Sequence, residues 1–473
     1  MTALISSEAT TELEAGRLLA GILDGRVKYV ATSNSWYIFK GGRWEPSPQG
    51  AVEHLAKELA STLYEQASEA SRNYDSDGAK RLAKLAERVA TYPGLTGVIK
   101  FARTEPAIAA TAGEFDAHTS LINARGITID LSTGTTRSPD PADMLTQQMD
   151  VDFDATARAP LWEKFLNASF QGDADLIGYV QRLFGYALTG ENLEQVLVIA
   201  LGSGANGKTT MLNVLRRVMG TYAQVLPSSA VLVRRPDAAT NDLVLFKGKR
   251  LAVLDELPTN AKLNDGVVKA LSGSSALSAR GLYQEYQTVM ANALIIIATN
   301  LKPEFSVTDT ALWRRIIILP FYAVVPPGDR VGDLEHQLFE EAAGIVNWGL
   351  QGHAQFLSQG LNPPAIVNAA TAAYRDELDL VKRFVDDQCE AGPTFKQPAQ
   401  LLADAFVQWC ALSGETANRK DLKTRLEQLG YKRQRAGAGY FYGGLRLKLG
   451  SSGLRRGHLS TSRSPRGHAA LGR

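Results

Sequence analysis

The sequence is poor in cysteine, in histidine and in net charge. Only Cys389 and Cys410 occur, with no CxxC pair and no Cys/His cluster. Neither a disulfide scaffold nor a structural zinc site is expected, and the reading is a reducing, cytosolic compartment. The six histidines are scattered, none at metal-ligand spacing; His336 and His353 fall on predicted helices and read as surface or packing residues. Long hydrophobic runs are missing too. "ALIIIA" at 293–298 falls far short of the ~20 apolar residues of a spanning helix. The opening "MTALISSEATTELEAG" is acidic and lacks the basic start and apolar centre of a signal peptide. No membrane partner is expected. With 51 basic against 49 acidic residues, the net charge is only +2, so attraction to nucleic acid has to come from local patches.

What is present suits a globular protein: 473 residues, 45% apolar, enough for about three domains at roughly 150 residues each. Residues 1–190 mix helix and strand signals and read as an α+β region. "SWYIFKGGRW" (35–44) alternates around Gly-Gly as a hairpin does. "AVEHLAKELASTLYEQA" (51–67) has helical spacing. "GITIDLSTGTTRS" (126–138) reads strand, turn, strand, and 160–190 reads as two helices, the second ending at Gly190. Trp36, Trp44 and Trp162 read as core anchors. From 191 to 325, the short apolar strands "VLVIAL", "RLAVLD", "NALIIIATN" and "RIIILPF" alternate with polar helices, which predicts an α/β parallel-sheet core. Residues 326–387 read as helical and 388–449 as a small separate domain. Residues 450–473 carry five arginines and no acid, a disordered basic tail by composition.

Within the α/β segment, "GSGANGKTT" (202–210) matches G-x-x-x-x-G-K-[ST]. Such a loop turns successive backbone N–H groups toward phosphate oxygens, and the helix that follows adds its positive end. Gly202, Ser203, Gly204, Ala205, Asn206, Gly207, Lys208, Thr209 and Thr210 are therefore candidate ATP ligands. Lys208 would reach the β- and γ-phosphates, and Thr209 would bind Mg²⁺. "GKRLAVLDELP" (248–258) runs four apolar residues into Asp255, suited to the Mg²⁺ shell, and Glu256, suited to polarising the attacking water. "ALIIIATN" ends in Asn300, an amide that would help to place that water. "WRRIIILPF" (313–321) places Arg315, the first choice, and Arg314 before a fourth strand. An arginine supplied by a neighbouring subunit would couple hydrolysis to assembly. "MDVDFD" (149–154) spaces three aspartates as two-metal sites do, but reads as a loop with no partner motif.

These pieces, in this order, resemble helicase superfamily 3, and most closely its phage/plasmid primase–helicase branch, related to poxvirus primase–helicases. The marks are "GxGxNGKT" with Asn206, "LVLFKGKRLAVLDE", "ATNLKPEF" and "LWRRIIILPF". "YVQRLFGYALTG" upstream and "FVQWCALSGE" downstream extend the likeness. The resemblance implies an AAA+-like P-loop NTPase core, with ATP and Mg²⁺ between the subunits of a homo-oligomeric ring, expected to be a hexamer. The ring would translocate on single-stranded or forked DNA. Asn300 corresponds to the sensor asparagine. The stretch 267–289 corresponds to a segment with a pore-facing hairpin, whose candidate DNA contacts are Lys269, Arg280 and Tyr283. The sequence looks like the helicase portion without a primase domain, so a separate primase is a possible partner. The implied setting is replication of a phage, prophage or plasmid in a bacterial cytoplasm.

Residues 414–449 are rich in base. "RKDLKTRLEQLGYKRQRAGAGYFYGGLRLKL" reads as a basic helix, a turn at Gly430 and a glycine-tipped hairpin, a winged-helix-like pattern. Arg419, Lys420, Lys423, Arg425, Lys432, Arg433 and Arg435 are the candidate DNA contacts, chiefly to phosphate. Two rival readings stand beside the helicase. One is a P-loop ATPase that acts as an initiator or loader switch without unwinding. The other is a regulatory DNA-binding protein with a degenerate ATPase.

Overall fold

The computed structural model describes residues 11–233, 246, 248–273, 276–280, 286–290, 292–437 and 439–448; for 276–280, 286–290, 329 and 436 the backbone alone is described. The chain divides into two compact units. The first holds Met1–Phe305 with Ala311–Thr371, and the second Ser306–Thr310 with Ala372–Arg473.

The first unit opens with α1 (Glu12–Leu23), whose Thr11 and Glu14 form a capping box that satisfies the free N–H groups of the first turn. A sheet of order β3-β2-β1-β4 follows, from β1 (Val27–Val30), β2 (Ser35–Lys40), β3 (Arg43–Pro46) and β4 (Ala109–Ala110). β2 and β3 are the hairpin expected at 35–44. Helices α2 (Ala51–Arg72), α3 (Ser76–Val89) and α4 (Tyr92–Ala102) pack with α1 around Leu19, Leu59, Leu63, Leu85 and Val98. The apolar spacing of α2 puts Val52, Ala56, Leu59 and Leu63 on its buried face. A meander of β5 (Leu121–Ala124), β6 (Ile127–Asp130) and β7 (Thr135–Arg137) leads to α5 (Pro160–Ser169) and α6 (Ala174–Thr189). Gly190, with a φ of 63°, ends α6 as expected.

The centre of this unit is a parallel five-stranded sheet. Its strands are β8 (Leu197–Leu201), β9 (Ala223–Val225), β10 (Leu251–Asp255), β13 (Leu294–Thr299) and β14 (Ile316–Pro320), in the order β14-β8-β13-β10-β9. Every residue of β13 is buried, the unbroken apolar run that a sheet covered on both faces requires. The four expected strands are all present. β9 adds a short edge strand with no apolar run to announce it. Between strands lie α7 (Lys208–Met219), α8 (Asp265–Leu271), a backbone hairpin of β11 (Ala276–Arg280) with β12 (Tyr286–Met290), and α9 (Thr310–Trp313). The chain continues through α10 (Leu334–Phe339), α11 (Ala342–Gln359) and α12 (Ala365–Leu378). Against α6, α11 sets the Trp348 ring 6.0 Å from Phe184.

One buried cation ties the meander to the sheet. Arg250 donates to the Leu188 carbonyl and, at 2.5 Å, to that of Leu121, with its guanidinium over the Tyr222 ring. Burial pulls its pKa down, and carbonyl oxygens supply the compensation that a buried charge needs.

The second unit contains α13 (Leu380–Gln388), β15 (Cys389–Pro398), α14 (Ala399–Leu412), α15 (Arg419–Gln428), β16 (Arg433–Ala436) and β17 (Gly439–Leu447). Its antiparallel sheet has the order β15-β17-β16, and Phe384, Leu402, Phe406, Leu426 and Leu445 form its core. Residues 449–473, including the basic tail, lie outside the described residues.

Candidate nucleotide site

The candidate residues meet at the carboxyl ends of three adjacent strands. β8 runs into the loop 202–207, and α7 starts at Lys208. β13, next to β8, is followed by Asn300; β10, next to β13, ends at Asp255 and is followed by Glu256. The register aligns Thr299 with Leu201 and Asp255 with Ala298, so these ends lie side by side at a strand spacing of about 4.8 Å.

The loop is pinned from below. Asn206 is buried; its amide donates to the Phe321 carbonyl at 3.4 Å and its Oδ1 accepts from the Lys208 N–H. Its side chain therefore fixes the loop and does not face the solvent side where a ligand would lie. Val325 N–H donates to the Ala205 carbonyl at 2.8 Å. Gly207 has a φ of 82°, and a Cβ there would stand 2.5 Å from the Ser169 hydroxyl, so only glycine fits. At Gly202 a Cβ would lie 2.6 Å from the Phe321 carbonyl.

Lys208 is 4% exposed. Its ammonium donates to Asn300 Oδ1 at 2.6 Å, to the Thr299 carbonyl at 3.0 Å and to the Gly202 carbonyl at 3.3 Å. Burial lowers its pKa, and the negative charge of Glu256 works against that. Glu256 has a φ of 57°, an uncommon conformation for a non-glycine residue that such sites hold at a cost. Asp255, Glu256, Asn300, Ser203, Ala205 and Thr209 are all exposed. Gly204 and Thr210 are half-buried in the loop and first helical turn. Ser169, beside Gly207 in this floor, lies outside every motif, and Thr299, though within "ALIIIATN", takes part through its backbone carbonyl; the fold reveals both roles.

The two arginines stand at the other end of the sheet. Leu197 N–H donates to the Arg315 carbonyl at 2.7 Å, which sets Arg315 beside the first residue of β8. The length of that strand, about 15 Å, separates it from the loop of its own chain. Arg315 is half-buried and donates to the Ala311 carbonyl at 2.7 Å and to Gln195 Oε1 at 3.1 Å. Arg314 is exposed and makes no hydrogen bond or ion pair among the described residues. The expected ranking of the pair is thus reversed in accessibility, because Arg315 is used in holding α9 to the segment before β8.

Of the other candidates, Lys269 is half-buried on α8, and Arg280 is described by backbone alone at the end of β11, opposite Tyr286. Tyr283 lies outside the described residues. In the second unit Lys420 and Lys423 are exposed on α15, and Lys432, Arg433 and Arg435 are exposed on and beside β16. Arg433 stacks 4.0 Å from the centre of the Tyr440 ring. Arg419 pairs at 2.7 Å with Asp404. Arg425 departs from expectation. It turns inward to Asp379 at 2.6 Å, with side chains 13% and 2% exposed, so it holds α15 to α13 and presents no charge to a ligand. Asp150, Asp152 and Asp154 form no metal site: the first two pair with Arg125, and Asp154 accepts from Thr156. No cluster of metal-ligating side chains occurs among the described residues. No helix among them is long and apolar enough to cross a membrane.

Comparison with known proteins bears on this arrangement. Residues 16–171 match the family model described as D5 N terminal like. The chain is 23% identical over 438 residues to "Putative helicase L207/L206" of Acanthamoeba polyphaga mimivirus, an alignment covering 83% of this chain and 45% of that protein. It is also 29% identical over 318 residues to "Putative helicase 184R" of Invertebrate iridescent virus 6, covering 59% of this chain and 32% of the relative. With "Putative primase C962R" of African swine fever virus it shares 25% identity over 242 residues, 46% of this chain and 25% of that one. These similarities are to proteins named as helicases and primases of large DNA viruses. The chain spans less than half the length of these relatives. Among solved structures, the apo NrS-1 C-terminal region is 11% identical and covers 93% of this chain and 100% of its own, with a TM-score of 0.47.

Proposed function

We propose that this chain is an ATP-driven DNA helicase of the superfamily 3 type, acting in replication of a phage, prophage or plasmid. One observation carries the reading. A glycine loop, a buried lysine, an acidic pair and an asparagine meet at the carboxyl ends of β8, β10 and β13, with Lys208 already bonded to Asn300. In a parallel sheet this is where ligands bind.

The donor set fits Mg²⁺–ATP. Loop N–H groups and Lys208, whose ammonium is held only by neutral oxygens, suit phosphate oxygens. When bound, the nucleotide supplies the phosphoanhydride bond whose hydrolysis releases the energy. Thr209 and Asp255 would hold the metal. Glu256 would accept the proton of the attacking water, and Asn300 would orient that water.

The arginines act in trans. Neither reaches the loop of its own chain; Arg315 donates to the Ala311 carbonyl and to Gln195 Oε1. Arg314, exposed and without a partner among the described residues, is the better-placed donor to a neighbouring copy's γ-phosphate, in a ring read as a hexamer. The second unit, as a winged-helix-like module, would present Lys420, Lys423, Lys432, Arg433 and Arg435 to DNA phosphates.

Unwinding of a forked DNA by the purified full chain tests this. Lys208→Ala should abolish strand separation; unwinding that survives it sinks the reading. ATP-dependent DNA binding with no strand separation in the parent chain would favour the initiator or loader switch.

A further inference from the structure

A large cleft of the first unit lies away from the nucleotide site, at the other end of α7. Its volume is about 770 Å³, and Arg43, Arg125, Arg216 and Arg217 line it against two carboxylates, Asp150 and Glu335. Arg216 is about eight residues beyond Lys208, or ~12 Å along the helix, so the cleft is separate from the glycine loop. β3, the segment after β5, and the last turns of α7 each contribute to it.

The arginines differ in what they have left to offer. Arg43 pairs with Glu45 at 2.7 Å, and Arg125 is taken up by Asp150 and Asp152. Arg216 and Arg217 have no carboxylate partner among the described residues. Arg217 is exposed, its guanidinium 3.6 Å from the centre of the Phe339 ring. The Nε of Arg216 is buried with no acceptor among the described residues, a state that is unfavourable unless something accepts from it. Asn213, one turn back, also lines the cleft. Guanidinium forks beside an amide form the donor set that grips phosphate oxygens. None of the lining residues is aromatic, so a base has no ring to stack on, and the volume exceeds what one phosphate fills. Those features favour a run of phosphates.

We propose that this cleft is a second phosphate-binding site, formed by Arg216, Arg217 and Asn213, whose ligand is the phosphodiester backbone of single-stranded nucleic acid. It goes beyond the ATPase reading and does not rest on it. A free polyphosphate has the same chemistry, and the test separates the two sources.

The full chain, without nucleotide, is titrated against a fluorescent oligothymidylate of about 20 nucleotides at salt from about 50 to about 200 mM. R216Q/R217Q should weaken binding about tenfold and flatten the salt dependence by about 1.4 log units per log unit of salt, the share of two phosphates. N213D, which keeps both arginines, should weaken binding in the same direction and decides the matter if the double variant does not fold. In parallel, inorganic tripolyphosphate is titrated against the same variants carrying Lys208→Ala, which removes the loop's contribution. Folded variants that bind the oligonucleotide with unchanged affinity and salt slope overturn the proposal. A loss confined to tripolyphosphate also overturns it, in favour of a small polyphosphate ligand.

Discussion

The two ends of the five-stranded sheet carry opposite kinds of residue. At the carboxyl ends, Lys208, Asn300, Glu256 and Asp255 are grouped across three strands, and Lys208 is bonded to Thr299 and Asn300. At the amino end of β14, Arg314 points to solvent with no partner among the described residues. The first end is a candidate site assembled within one chain. The second is a cation that no described residue of its own chain engages. On the function proposed above, the difference means that the catalytic set would be complete only when two copies meet.

Breaking either end should give different losses. Arg314→Ala should cut ATP turnover by about 10³-fold or more while nucleotide binding, followed by a fluorescent ATP analogue, stays near the parent value. Arg315→Ala should instead lower the melting temperature, since it releases Ala311 and Gln195; if it mimics Arg314→Ala with stability intact, the two roles are assigned the wrong way round. Lys208→Ala should cost ~10²–10³ in turnover together with nucleotide affinity, the opposite signature to Arg314→Ala.

Smaller effects sharpen the picture elsewhere. Arg425→Ala strands Asp379 in the second unit's core, at a cost of about 3 kcal/mol, whereas Lys423→Ala should leave stability unchanged and weaken DNA binding. Equal melting temperatures for the two would return Arg425 to the surface. Gly207→Ala should destabilise by about 1–3 kcal/mol, read by denaturant unfolding. The smallest effect is on the thiols. Burial pushes Cys389 up to about 12 and Cys410 upward as well. Neither should react with a thiol reagent at neutral pH until the chain unfolds, and rapid native labelling would contradict their burial.

The legible parts of the fold were those with a strong local signal. β8, β10, β13 and β14 are unbroken apolar runs, the hairpin at 35–44 turns on two glycines, and α6 stops at a glycine. β9 was not legible: it has three residues and gains its place by pairing with β10. In the site, the loop and acidic pair follow from chain order alone. What Asn206 does does not follow, because its partner, Phe321, is over a hundred residues away. The same holds for Arg425 and Asp379, and for the cleft at Arg216. Each depends on side chains brought together from distant segments, which periodicity cannot report.

The most direct measurement mixes two inactive proteins. Arg314→Ala and Lys208→Ala chains, each without turnover alone, are combined at varied ratios and assayed for DNA-stimulated ATP hydrolysis. Activity should return at interfaces where an intact glycine loop from one copy meets an intact arginine from the other, with a maximum at an intermediate ratio. Mixtures that assemble into common oligomers yet stay inactive at every ratio would contradict a nucleotide site shared between copies.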